Sequence, residues 1–221
     1  MSLASKVTIS EAEPKIRSPQ ALKTAVLVVA GVTEKGPHEA TLITSWEDYV
    51  NIYGGFTADA KDVPAAVQGY YDNGGQFAYI IRIVHYTDLT VKTSYSSVKA
   101  TVTLEDRDDP ALDTLKVDAI SDGAWGNDLR IQITAATSGD ADQFNLVVKS
   151  SAGLVYETWP NLSMTDVSTR YVETVINSPI TGSMYIRVTD LDSLSVSPDD
   201  LPALGTFALT TGANGLVGLI D

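Results

Sequence analysis

A chain of 221 residues with 44% apolar content and a mean hydropathy of +0.04 is long enough for one large domain or two small ones. Its formal charge of −13, with 15 scattered Lys and Arg against 28 Asp and Glu, argues against nucleic acid as a partner, because neutralising phosphates needs clustered cations. The absence of cysteine excludes disulfides and thiolate metal sites, and no apolar run approaches the roughly 20 residues of a membrane span. No basic segment followed by an apolar core opens the sequence, so neither export nor membrane insertion is expected.

Residues 1–22 are polar and proline-punctuated, and read as an extended arm. Within it Val7, Thr8, Ile9 and Ser10 alternate as a strand that pairs with a sheet edge, its own or a neighbour's; a disordered terminus is the alternative. The run from Ala25 to Gly31 predicts a buried strand, with a turn at Gly36-Pro37. Ser45 and Asp48 have the spacing of a capping box, Trp46, Tyr49, Val50 and Tyr53 share a helical face, and Gly54-Gly55 ends that helix. A second helix is expected from Asp62, as cap, with Pro64 in its first turn; Val63, Val67, Tyr70 and Tyr71 share its face, and Asn73-Gly74-Gly75 stops it. Phe77 to Val84, broken only by Arg82, predicts a central strand buried on both faces. The first third is thus strand, helix, helix, strand: a small α/β layer.

From about Thr90 short β-rich runs take over. Strands are predicted over Val98 to Leu104, Leu112 to Ile120, Leu129 to Ala135, Phe144 to Lys149, Leu154 to Trp159 and Met184 to Val188, with a third helix near Asp166. Leu191 to Pro202 reads as a linker, and Phe207 to Thr210 as a strand returning to the first sheet. The expected class is α+β: an arm (1–22), an α/β layer (23–92 plus 205–221) and an inserted β-sandwich or small barrel (93–204).

The chemical motifs are weak. Both glycine pairs follow helices, where the dipole repels anions, so they read as caps rather than phosphate cradles. His38 and His85 are isolated from any hydrolase or metal motif, and Glu105 to Asp109 lacks the pattern of a calcium loop and reads as a solvated hairpin turn. Arg82, alone in an apolar strand, is expected to leave at the strand end or pair with one carboxylate.

Taken in order, Val26-Leu27-Val28-Val29-Ala30-Gly31, Glu34-Lys35-Gly36-Pro37, Leu42 to Tyr49 with Trp46 at its centre, Gly54-Gly55, Tyr70-Tyr71-Asp72-Asn73-Gly74-Gly75 and Tyr79-Ile80-Ile81-Arg82-Ile83 closely resemble the N-terminal region of contractile-tail sheath proteins. Gly123-Ala124-Trp125-Gly126-Asn127 and the stretches Asn161 to Met164 and Arg170 to Val172 are similar to later segments of the same family. The resemblance implies a structural subunit of a phage, prophage or related injection machine. Such subunits stack around a tail tube and contract, with other sheath subunits, tube and baseplate proteins as partners. It implies the virion tail, or the bacterial cytoplasm during assembly, as location, and no cofactor, metal or catalytic residue. It casts Val7 to Ser10 as the subunit-linking arm and Gly36, Pro37, Trp46, Gly54, Gly55, Gly74, Gly75, Arg82, Trp125, Gly126 and Asn127 as structural positions.

Two departures stand out: the arm lacks the family's Pro-Gly, and Gly212 to Leu216 falls where the large C-terminal half begins in sheath proteins. Alone, the 221 residues are expected to be a monomer or small oligomer. The alternative is a binding module presenting Tyr95, Tyr156 or Trp159 to a glycan or receptor, and an enzyme built on His38 or His85 comes third.

Overall fold

The computed structural model describes residues 26–91 and 93–217, so the expected arm strand at Val7, Thr8, Ile9 and Ser10 lies outside the described residues. The first sheet is built on β3 (Phe77–Arg82). β1 (Val26–Gly31) runs parallel to it, pairing Val26 with Phe77 through Gly31 with Arg82, and β2 (Thr41–Ile43) flanks its other side antiparallel. Helices α1 (Trp46–Tyr53) and α2 (Asp62–Asp72) cover one face, where Tyr49, Tyr53, Val63 and Val67 pack with Ile43, Ala78 and Ile80.

Local signals set these boundaries, with two shifts. Ser45 caps α1 by accepting from the Asp48 amide (3.0 Å), and the Asp48 carboxylate reaches back chiefly to Thr44, with Ser45 a weaker partner. Asp62 is the first helical residue of α2 and not its cap; Lys61 takes that place without a side-chain bond, leaving the Asp62 charge to act on the positive helix end. The expectation of burial on both faces of β3 is overturned. Ala78 and Ile80 are fully buried, yet Phe77 and Tyr79 are 42% and 40% exposed, because both helices lie on the same side.

Two further sheets form the rest. β4 (Thr101–Glu105), β5 (Asp113–Ala119) and β9 (Ile186–Asp190) are antiparallel in the order β4-β5-β9. β6 (Leu129–Ala135), β7 (Phe144–Ser150), β8 (Val155–Leu162) and β10 (Gly205–Ala208) are ordered β10-β6-β7-β8. Leu115, Val117 and Val188 from one sheet share a single apolar core with Ile131, Ile133, Leu146 and Val148 from the other. The sheets remain separate and do not close into a barrel, which removes that alternative; the chain is mixed α+β. No helix among the described residues is long and apolar enough to cross a membrane.

Three expectations are corrected. β10 pairs with β6, Gly205 opposite Ile133, rather than returning to the first sheet; only the segment after it turns back, where Gly215 O accepts from the His85 amide. The third helix, α3 (Val172–Ile176), starts later than Asp166, because Ser163 and Ser168 hydroxyls accept from the Thr165 and Arg170 amides and hold turns there. The 191–202 segment is stitched down rather than a free linker: Leu201 is fully buried, and Ser193 and Ser195 donate to Asp106. Asp106 is therefore a buried anchor, although the turn that carries it does join β4 to β5 as expected.

Candidate functional site

Two features of the described residues stand out. The first is the junction between the α/β layer and the β-rich region. Arg82, 3% exposed at the end of β3, donates through Nη1 to Gly36 O (3.0 Å) and Asp122 O (2.9 Å), with Asp122 Oδ1 at 3.4 Å. His38 places Nε2 at 3.0 and 3.1 Å from the two Asp122 carboxylate oxygens and stacks on Tyr95, centroids 3.8 Å apart. Burial pushes the Asp122 carboxyl up, but the His38 bond and the Arg82 charge outweigh it and hold it at about 2. A buried arginine with one carboxylate was legible in the sequence; its partner, forty positions downstream, was not.

This junction explains Gly36. Its φ of +109° is a left-handed conformation, a Cβ there would lie 2.6 Å from the Tyr53 ring, and its amide donates to Ser121 Oγ. His38 does not complete a nucleophile relay among the described residues, since its Nδ1 is buried without a hydrogen-bond partner. His85 contributes main-chain bonds to Gly215 and Ser96.

The second feature is the open face of the first sheet. Val26 beside Phe77, and Val28 beside Tyr79 with Leu42 beyond it, form two apolar rows, 52% and 62% exposed at the valines. β1 is an edge strand, so its outer main-chain groups have no strand partner among the described residues. Among the described residues, the sheet thus has an apolar face beside an edge strand without a strand partner.

The other resemblance positions are distributed through the scaffold. Trp46 stacks on Tyr49, Gly54 and Gly55 sit against Glu34, which accepts from the Gly55 amide, and Gly74-Gly75 close α2 against Tyr70. Pro37 is exposed beside Gly36. Trp125, Gly126 and Asn127 lie on the 3-10 turn Ala124–Asp128. A Cβ on Gly126 would strike Ala100 and Ala119, and Asn127 clamps Gly212 through both its amide atoms (2.9 and 2.8 Å). The aromatics of the binding-module alternative are engaged internally: Tyr95 with His38, Tyr156 stacked on Tyr185, and Trp159 donating to Glu157.

The fold is similar to two solved sheath tail proteins. Against that of Desulfitobacterium hafniense the TM-score is 0.51 at 14% identity, covering 96% of this chain and 39% of the other. Against that of Listeria innocua the TM-score is again 0.51 at 14% identity, covering 85% and 34%. The chain therefore has a sheath-like fold and spans well under half the length of either protein. A scan of protein-family models gives no match, and neither does a search of curated proteins.

Proposed function

We propose that this chain is the N-terminal portion of a contractile-tail sheath subunit, one that polymerises helically around a tail tube and shortens to drive it through a target envelope. The observation that carries the reading is a sheath-like fold whose first sheet, among the described residues, keeps an apolar face and an edge strand uncovered. Repeated subunits are a natural occupant for such a surface, because a head-to-tail contact that does not close builds a helical tube. Residues 1–22 act as the arm that keeps subunits joined while their cores move, and the β-rich region from residue 93 through β10 acts as a domain inserted after the α/β layer. Tail tube and baseplate are the further partners, and the virion tail is the location. None of the proposed roles uses a catalytic group or cofactor.

Negative-stain electron microscopy of the complete gene product, beside the 221 residues alone, tests this. Striated hollow tubes from the complete product support it. Discrete particles at every salt and protein concentration would sink it.

A further inference from the structure

Most edge strands of the three sheets are obstructed. Beside β9, the Asn177 side-chain amide donates to Val188 O (2.8 Å) and accepts from the Val188 amide (2.9 Å), while Glu173 accepts from the Asp190 amide (2.7 Å). Thr101 of β4 exchanges both main-chain bonds with Thr210, and β8 carries Pro160. β2 and β10 offer only three and four residues. β1, with six residues and no proline, is the longest unobstructed edge among the described residues.

One bond fixes how that edge is oriented. Gly31 O accepts from the Ile83 amide (2.9 Å), so Leu27, Val29 and Gly31 turn their main-chain groups to β3, and Val26, Val28 and Ala30 turn theirs outward. The Leu27 and Val29 side chains pack against the helix-covered core, yet both stay only half-buried at its margin.

The sequence that leads into β1 has a matching form. Val7 and Ile9 fall on one face of an extended run, Thr8 and Ser10 on the other. Fifteen residues, 11–25, separate that run from Val26, enough for an antiparallel return, and Pro14 and Pro19 disfavour a ladder within them. Residues 1–25 carry four cations, Lys6, Lys15, Arg17 and Lys23, against Glu11 and Glu13, in a chain whose acids outnumber its bases 28 to 15. Charge therefore draws this segment to the body of its own or another copy alike. The tether decides between them, because it sets an effective concentration on the order of millimolar that a separate copy does not reach in dilute solution.

We propose that in the unassembled chain Val7 to Ser10 adds antiparallel to the outer edge of its own β1, so that the linking arm is stored on its own subunit until a neighbour takes its place. The geometry sets the register. Val7 and Ile9 lie beside Val29 and Leu27 and cover the margin of the core, and Thr8 faces Val28 as a hydrogen-bonded pair. Thr8 and Ser10 then project on the side of the open face, which stays uncovered. This inference rests on the sheath reading of residues 1–22 as the arm and deepens it by naming what holds the arm before assembly.

Hydrogen exchange followed by NMR tests it on the 221-residue chain and on Thr8→Pro, which removes the donor to Val28 O and alters no described residue. The Val28 and Ala30 amides should exchange at least about tenfold more slowly in wild type than in Thr8→Pro, while the Val29 amide, turned to β3, keeps its rate. The protection should persist on dilution, in samples that sedimentation velocity shows to be monomeric. A Val28 amide that exchanges as fast in wild type as in Thr8→Pro would overturn the stored arm. So would protection that fades on dilution, since it then comes from another copy. Tubes from the complete gene product, with no protection in the monomer, would remove the stored arm and leave the sheath reading intact; protection in the monomer with no tubes would do the reverse.

Discussion

The two halves of the molecule bury their sheets differently. In the β-rich region, two sheets turn their apolar faces onto one core, with Phe144, Leu146, Leu115 and Val117 fully buried. In the first sheet, one face is closed by α1 and α2 while Val26, Val28, Phe77 and Tyr79 on the other stay open. The same residue types therefore have different energetic roles. A β-branched or aromatic side chain stabilises a fold only where something covers it, and among the described residues nothing covers the open face.

Truncation should expose that contrast most strongly in the closed core. Phe144→Ala is expected to cost about 4 kcal/mol in urea unfolding, from lost burial plus the cavity left behind. Arg82→Ala at the junction should cost about 3 kcal/mol, because it strands Asp122, whose side chain is only 13% exposed, with His38 alone.

Acid supplies the next step. The Asp122 carboxyl is depressed from 3.8 to about 2 in the folded protein, so its contribution is complete above about pH 4 and is lost as pH falls through 2, on the order of 2 kcal/mol. Asp106, also held at about 2, loses its contribution in the same window, whereas Asp190 and Asp200, raised by burial, act in the opposite sense. Urea midpoints measured between pH 5 and 2 should therefore fall less steeply in Asp122→Asn than in wild type.

Tyr53→Phe, which removes the buried hydroxyl bond to Ile80 O (3.0 Å), should cost about 1 kcal/mol. Tyr79→Ser on the open face should change stability by no more than about 0.5 kcal/mol while reducing binding of a hydrophobic dye. If Tyr79→Ser instead proved as costly as Phe144→Ala, the face would be covered in solution and the contrast between the regions would collapse.

Much of this architecture was legible because it is local. Leu129 to Ala135 alternates over the span that β6 occupies, and Ser45 capping a run of Trp46, Tyr49 and Tyr53 places α1. β2 escaped notice because three residues are too few for a periodic signal. The late start of α3 escaped because serine hydroxyls outcompete helix bonds over a stretch whose apolar spacing looks helical. The candidate site was legible only in pieces: Gly36, Arg82 and Trp125 stood out singly, while nothing in the sequence brought Asp122 to Arg82 or Lys35 to Trp125.

By itself the sequence determined most of the strands and helices and many of their turns, β2 and the start of α3 excepted, since period, caps and turn residues act over a few positions. It also determined the acidic surface and the absence of thiol chemistry. Only the tertiary structure decided which face of β3 is covered, that β10 joins β6, and that Asp122 closes the junction. Those depend on how layers stack across forty or more residues, where identical apolar patterns permit several arrangements and packing selects one.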